Sequence, residues 1–238
     1  MIDVLNEAEV TRAKSFCSSK LSLTFQGLGF TIMADDNSIL DYLQDYYRGL
    51  SDNSQIMASK RLFLINTAPD FHSGNWQPVE RDKPSPLGLK EAYTDIAGGR
   101  WIRKVRTGMA MFQSLADPLV IGDLEANRSQ VVNFINNQFL NHYQRQGYLL
   151  GHAAAFDIDG QTTAIAASSG GGKSTLMLRA LETEPARFLS NDRILFKPDD
   201  GEVKVLGLAK HPRVNPGTLI NSERLKHILP QEEQNRFA

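Results

Sequence analysis

No stretch of this chain restricts its fold as strongly as residues 165–178, IAASSGGGKSTLML. A β-rich run, 162–167, leads into Ser168, Ser169 and three glycines, and Lys173-Ser174-Thr175 opens a helix expected over Ser174–Leu181. Strand, glycines, Lys-Ser and helix in that order form the setting of a phosphate-binding loop. The glycines let successive backbone N–H groups turn inward as a nest for phosphate oxygens. The new helix aims its N-terminus, with its partial positive charge, at the same place. On this reading Ser169, Gly170, Gly171, Gly172, Lys173, Ser174 and Thr175 meet the phosphates of a nucleotide. Lys173 reaches the β- and γ-phosphates, and Ser174 offers its hydroxyl to Mg²⁺. The standard pattern is GxxxxGK followed by Ser or Thr; here Ala167 replaces the first glycine and restricts the backbone at the loop entrance. A glycine-rich turn with a chance Lys-Ser is the bland alternative, and the full ordered context disfavours it.

The flanking sequence supplies the rest of a candidate site. Residues 148–158, YLLGHAAAFDI, read as a strand, and Asp159-Gly160 is a strong hairpin turn. Residues 188–196 and 203–208 read as further strands, separated by the turn Pro198–Gly201. A strand ending near Ser190 places Asn191, Asp192 and Arg193 at a sheet edge, where α/β proteins seat ligands. Asp192 could then hold Mg²⁺ directly or through water, and Arg193 could touch phosphate. The competing reading is a turn-forming Asn-Asp between two strands. His152 on its own, beside an alanine run, reads as a packed core residue.

Taken together, His152 through Ser174, HAAAFDIDGQTTAIAASSGGGKS, resembles the entry to the catalytic domain of HPr kinase/phosphorylase. In that family a His begins a strand, a hairpin follows, and a GxSGxGKS loop closes the unit. The spacing from His152 to Lys173 is similar. Asn191-Asp192-Arg193 falls where the family has Asp-Asp-Arg, and Val205–Leu208 resembles its short glycine-containing strand. The likeness covers roughly residues 148–210, about a quarter of the chain. It implies a fold similar to the nucleotide domain of phosphoenolpyruvate carboxykinase, and ATP-dependent phosphorylation of a protein serine. The N-terminal half does not resemble the usual HPr kinase N-terminal domain, so the chain reads as a divergent relative.

Three departures bear on chemistry. Asn191 stands where the family has its expected general base, and Asn cannot accept a proton; Asp192 or His152 takes over, or transfer is weak or absent. Lys204 stands where the family has a Glu that helps bind Mg²⁺, with Glu202 two residues away. Only 64 residues follow Ser174, fewer than the family's catalytic domain carries, which suits a truncated fragment or a chain lacking the pieces that bind an acceptor protein.

The leading expectation is therefore an ATP- and Mg²⁺-dependent phosphotransferase acting on a protein serine or another hydroxyl, protein or small molecule. Ser174 and Asp192 hold the metal, Asp192 or His152 moves the proton, and Arg193 stabilises the transferring group. The alternative is a non-catalytic nucleotide sensor, which Asn191 favours. An ATPase tied to transport or assembly carries little weight, because no LSGGQ-like signature follows the loop. The resemblance also implies a homo-oligomer, although no heptad or exposed apolar stripe assigns an interface.

Composition narrows the remaining classes. The 238 residues allow one large domain or two small ones, expected here as a mixed α+β region, 1–147, and an α/β phosphate-loop core, 148–238. Net charge is −1, which gives no general electrostatic reason to bind nucleic acid or an anionic membrane. Cys17 is the sole cysteine, which excludes an internal disulfide and a zinc held by a Cys cluster, and the five His residues lie far apart in sequence with no HxxxH or HExxH spacing, which argues against a metal held by several His. The first residues are not a signal peptide, and no apolar run approaches the ~18 residues of a membrane span. The chain thus reads as a soluble, bacterial-type cytoplasmic protein.

In the N-terminal half, residues 21–33 read as a hairpin with Gly27 and Gly29 in its turn. Ser38–Asp41 reads as a capping box ahead of a helix that ends near Gly49. Residues 61–66 suit a buried strand, and 69–90 a long loop or linker. In 100–106, RWIRKVR, the cations suit a solvated face or a contact for an acidic or phosphate partner. Val132, Ile135, Phe139 and Tyr143 stripe a helix over 128–146.

Overall fold

In the computed structural model, which describes residues 1–80, 85–168, 170–182 and 185–237, local turn and cap chemistry sets the element order. The fold is mixed α/β, with six α-helices and four sheets among the described residues. The chain divides into two units, Met1–Phe139 and Leu140–Ala238.

The first unit opens with β1 (Ile2–Asp3) and α1 (Glu7–Ser15), whose cap Asn6 accepts from the N–H groups of Ala8 and Glu9. β2 (Ser19–Phe25) and β3 (Leu28–Ala34) form the expected hairpin. Its turn is Gln26-Gly27, both at positive φ, and Gly29 lies inside β3 instead of the turn. α2 (Asn37–Tyr46) starts earlier than the Ser38–Asp41 pattern implies. Asp36 is the cap: it accepts from the Ser38 N–H at 2.9 Å and from Asn66 Nδ2 at 2.8 Å. Two cap-capable residues compete there, and the long-range bond to Asn66 selects Asp36.

β4 (Ala58–Ile65) follows and pairs in parallel with β3. Within the expected loop 69–90, the described residues hold two short strands, β5 (Pro69–Asp70) and β6 (Gln77–Pro78). Then come β7 (Glu91–Ile96), β8 (Gly99–Lys104), β9 (Met109–Ser114), β10 (Leu119–Ile121) and α3 (Arg128–Arg145). Eight strands make one mixed sheet in the order β2-β3-β4-β10-β9-β8-β7-β6. Val10, Ala13 and Cys17 pack on Phe63, Ile65, Trp101 and Ile121. The cations of the basic run find partners across the strands: Arg100 donates to Asp95 (2.6 Å) and Lys104 to Glu91 (2.6 Å). Arg106 donates to the Gly88 carbonyl at 2.8 Å. These cross-strand pairs match the solvated-face reading.

In the second unit, the single strand expected over 148–158 is two, β11 (Leu149–Gly151) and β12 (Ala153–Ile158), and they belong to different sheets. β12 forms a hairpin with β13 (Gln161–Ala166) through Asp159 and Gly160, both at positive φ as a type I′ turn requires. α4 (Lys173–Leu181) follows. The strand expected over 188–196 is also two, β14 (Arg187–Ser190) and β15 (Ile194–Asp199), and β16 (Glu202–Gly207) pairs with β15. The sheets run β13-β12-β14 and β11-β15-β16, all antiparallel. α5 (Pro216–Ile220), a 3₁₀ turn (Lys226–Ile228) and α6 (Gln231–Phe237) end the unit.

The unbroken apolar run Ala153–Phe156 follows from burial on both faces of β12. Ala154 and Phe156 pack on Met177 and Leu178 of α4, while Ala153 and Ala155 pack on Ile194 of the other sheet. Gly207 closes this second contact. A Cβ there would sit 2.1 Å from the Leu189 carbonyl oxygen, which is backbone and cannot swing aside. Gly207→Ala is therefore expected to lower the thermal unfolding midpoint by about 5–10 °C, through overpacking of about 1–3 kcal/mol. A calorimetric scan with an unchanged midpoint would refute this packing.

Candidate functional site

The strand directions explain why residues distant in sequence meet. β12 runs antiparallel to both β13 and β14, so those two strands end where β12 begins. Ala153 lies opposite Ala166, and Ala155 opposite Ser190. His152, the glycine loop and residues 191–193 consequently gather at one end of the sheet. In the companion sheet the end of β16 lies opposite the start of β15, Gly207 against Ile194, which brings the following segment to the same end.

A cleft of about 270 Å³ opens there. Gly170, Lys173 and Ser174 line it from the glycine loop and α4; His152, Ser190, Asn191 and Asp192 line it from the strand ends; Leu208, Lys210, His211 and Arg213 line it from the segment after β16. Gly172 caps α4 in the left-handed conformation, with φ 78° and no side-chain cap. The first N–H groups of the helix are thereby left for an external acceptor. Lys173 is 9% exposed, and its Nζ donates to the carbonyls of Ala167 (2.9 Å) and Ser168 (3.1 Å). Those bonds satisfy a nearly buried ammonium that would otherwise be costly to desolvate.

Asp192 is the one carboxylate among the described lining residues. Its Oδ1 lies 3.4 Å from His152 Nε2 and its Oδ2 3.7 Å from Arg193 Nε. Asn191 donates from Nδ2 to the Arg213 carbonyl at 2.9 Å, while its Oδ1 is buried and meets no hydrogen-bond donor among the described residues. Burial, reinforced by Arg213 and Arg193, holds the Lys210 ammonium below its ordinary range, and Asp192 partly offsets this. Among the described lining residues the cleft thus carries Lys173, Lys210 and Arg213 against the single carboxylate of Asp192.

The expected site residues divide clearly. His152, Gly170, Lys173, Ser174 and Asp192 share the cleft, and Arg193 joins through its pairing with Asp192. Gly171 and Gly172 shape the loop without lining the cleft. Thr175 does not line it either; its Oγ1 lies 3.4 Å from Thr218 Oγ1. Ser169 lies outside the described residues. His152 is neither within a strand nor a packed core residue: it sits at the break between β11 and β12, with its side chain 64% exposed. Glu202 and Lys204 lie on β16 away from the cleft, and Lys204 pairs with Asp199. Lys210, His211 and Arg213 were not expected. Their signal, a basic cluster directly after a glycine-ended strand, is indistinguishable in sequence from a solvated charge run.

Among the described residues, no cluster of three or more His, Cys, Asp and Glu suits a resident metal ion, and no helix is long and apolar enough to cross a membrane. No family model, curated protein or solved structure matches the chain.

Proposed function

We propose that the second unit binds MgATP and transfers its γ-phosphoryl group to a hydroxyl, as an HPr kinase-like phosphotransferase acting on a protein serine or another acceptor. The observation that carries this reading is the Asp192–His152 pair, 3.4 Å apart, in the same cleft as Lys173 and Ser174. A binding-only site uses the lysine, the loop and a carboxylate for Mg²⁺; it has no use for a histidine paired with that carboxylate.

The residues fit the substrate. Mg²⁺ that arrives with a nucleotide takes most of its ligands from phosphates and water, so one or two protein oxygens suffice. Ser174 and Asp192 supply them, and no separate carboxylate cage is required. The loop N–H groups and Lys173 hold the phosphate chain. Lys173 is already poised, since it exchanges two carbonyl partners for phosphate oxygens without leaving the loop. Asp192 or His152 takes the hydroxyl proton as the acceptor oxygen bonds to the γ-phosphorus, and the bond to the β–γ bridging oxygen breaks to release ADP. Arg193 neutralises charge on the group in transit.

A non-catalytic sensor is the second reading, and Asn191 favours it: a carboxamide, its buried oxygen meeting no donor among the described residues, occupies the place where the family it resembles has its base. Asn191→Asp separates the two. The phosphotransferase reading expects ADP formation from MgATP with a hydroxyl acceptor above background, changed in the variant as a second base is added and the Nδ2 bond to the Arg213 carbonyl is given up. ADP at background in both proteins, beside intact MgATP binding, would establish the sensor instead.

A further inference from the structure

Resting on that reading of the cleft, we propose that the acceptor carries an oxyanion of its own, a phosphate or a carboxylate beside its hydroxyl, and that Lys210 and Arg213 hold it next to Asp192. The cleft holds more positive charge than a nucleotide uses. Lys173 and the loop N–H groups belong to the triphosphate, because Lys173 is tied to the loop carbonyls of Ala167 and Ser168. Lys210 and Arg213 come from another element, the segment after β16, and line the same cleft. Lys210 shares the cleft with Asp192, and Arg213, Asp192 and Arg193 are the charges that act on it. Asn191 fixes this segment by donating to the Arg213 carbonyl at 2.9 Å. Asn191 thus ties the backbone of the segment that carries Lys210 and Arg213 to the strand end that carries Asp192.

Lys210 and Arg213 line the cleft together, and a bound oxyanion would take charge-assisted hydrogen bonds from both. MgATP brings its own divalent cation and needs little beyond the loop. A neutral serine acceptor would draw on neither Lys210 nor Arg213. An anionic acceptor draws on both, and its hydroxyl then lies against Asp192.

Calorimetry on the full chain tests this. The protein is first saturated with the magnesium complex of the non-hydrolysable analogue AMP-PNP, so that the glycine loop is occupied. Inorganic phosphate and malonate are then titrated separately, to distinguish the two oxyanions. At least one is expected to bind. Lys210→Met and Arg213→Met are each expected to weaken it by about tenfold or more, the loss of one charge-assisted bond, with AMP-PNP affinity within about twofold of wild type. Lys210→Arg, which keeps the charge, retains anion binding and guards against a folding defect. Binding of neither anion, or an equal loss of AMP-PNP and anion in the Met variants, would overturn the proposal. Failure of the wild type to bind Mg·AMP-PNP would instead overturn the nucleotide reading, and the acceptor assignment with it.

Discussion

Lys173→Ala is expected to abolish MgATP binding, by about a hundredfold or more in Kd, while leaving the thermal unfolding midpoint within a few degrees of wild type. The size follows from what the ammonium touches. Its two partners are the carbonyls of Ala167 and Ser168. Phosphate oxygens would take their place, and each charge-assisted hydrogen bond to an anion contributes about 1.5–3 kcal/mol. Stability changes little because water replaces the ammonium at both carbonyls. Lys173→Arg should also lose most of the affinity, since a planar fork cannot occupy the position of a compact ammonium. Calorimetric titration beside a thermal melt reads both quantities. A variant that still binds MgATP within about threefold of wild type, against the hundredfold expected from those bonds, would remove the glycine loop from the nucleotide site altogether.

Features encoded by neighbouring residues were legible in the sequence. Asp159-Gly160 announced its hairpin because positive φ at two successive positions restricts residue choice so severely. The stripe Val132, Ile135, Phe139 and Tyr143 announced α3 because those four residues are buried along its length. The glycine loop and the end of β14 at Ser190 were legible for the same local reasons. The break at His152 was not. Residues on both sides of it are apolar, and only pairing with β15 on one side and with β13 and β14 on the other divides the run. That division converts an apparent core histidine into an exposed partner of Asp192. Residues 191–193 show the same ambiguity: Asn-Asp suits a turn and a site alike, and here it follows the end of β14 while Asn191 and Asp192 line the cleft. Lys210 and Arg213 were hidden because a basic run beside Pro212 reads as solvated surface. Only the register of β15 with β16, and the close approach at Gly207, turn it toward the cleft.

Asp192→Asn is expected to lower phosphoryl transfer by about 10²–10⁴-fold while preserving the fold. The substitution keeps shape and removes charge, so packing is not in question. Nor is stability: Asp192 and its partners His152 and Arg193 are each roughly half exposed or more, and such ion pairs contribute little to folding. The variant does carry two roles, because Asp192 can act on the acceptor proton or on Mg²⁺. Magnesium dependence separates them. If the carboxylate serves mainly as a metal ligand, high Mg²⁺ restores part of the rate, and nucleotide affinity at low Mg²⁺ falls. If it serves as the base, the rate stays low at every Mg²⁺ concentration and nucleotide affinity is unchanged. His152→Gln supplies the complement. An imidazole that only orients Asp192 at 3.4 Å can be lost for about tenfold, whereas one that itself accepts the proton cannot. Steady-state ADP release across these variants therefore identifies the proton's destination. Asp192→Asn turning over at the wild-type rate would remove Asp192 from both roles and leave His152 as the group lining the cleft that takes the proton.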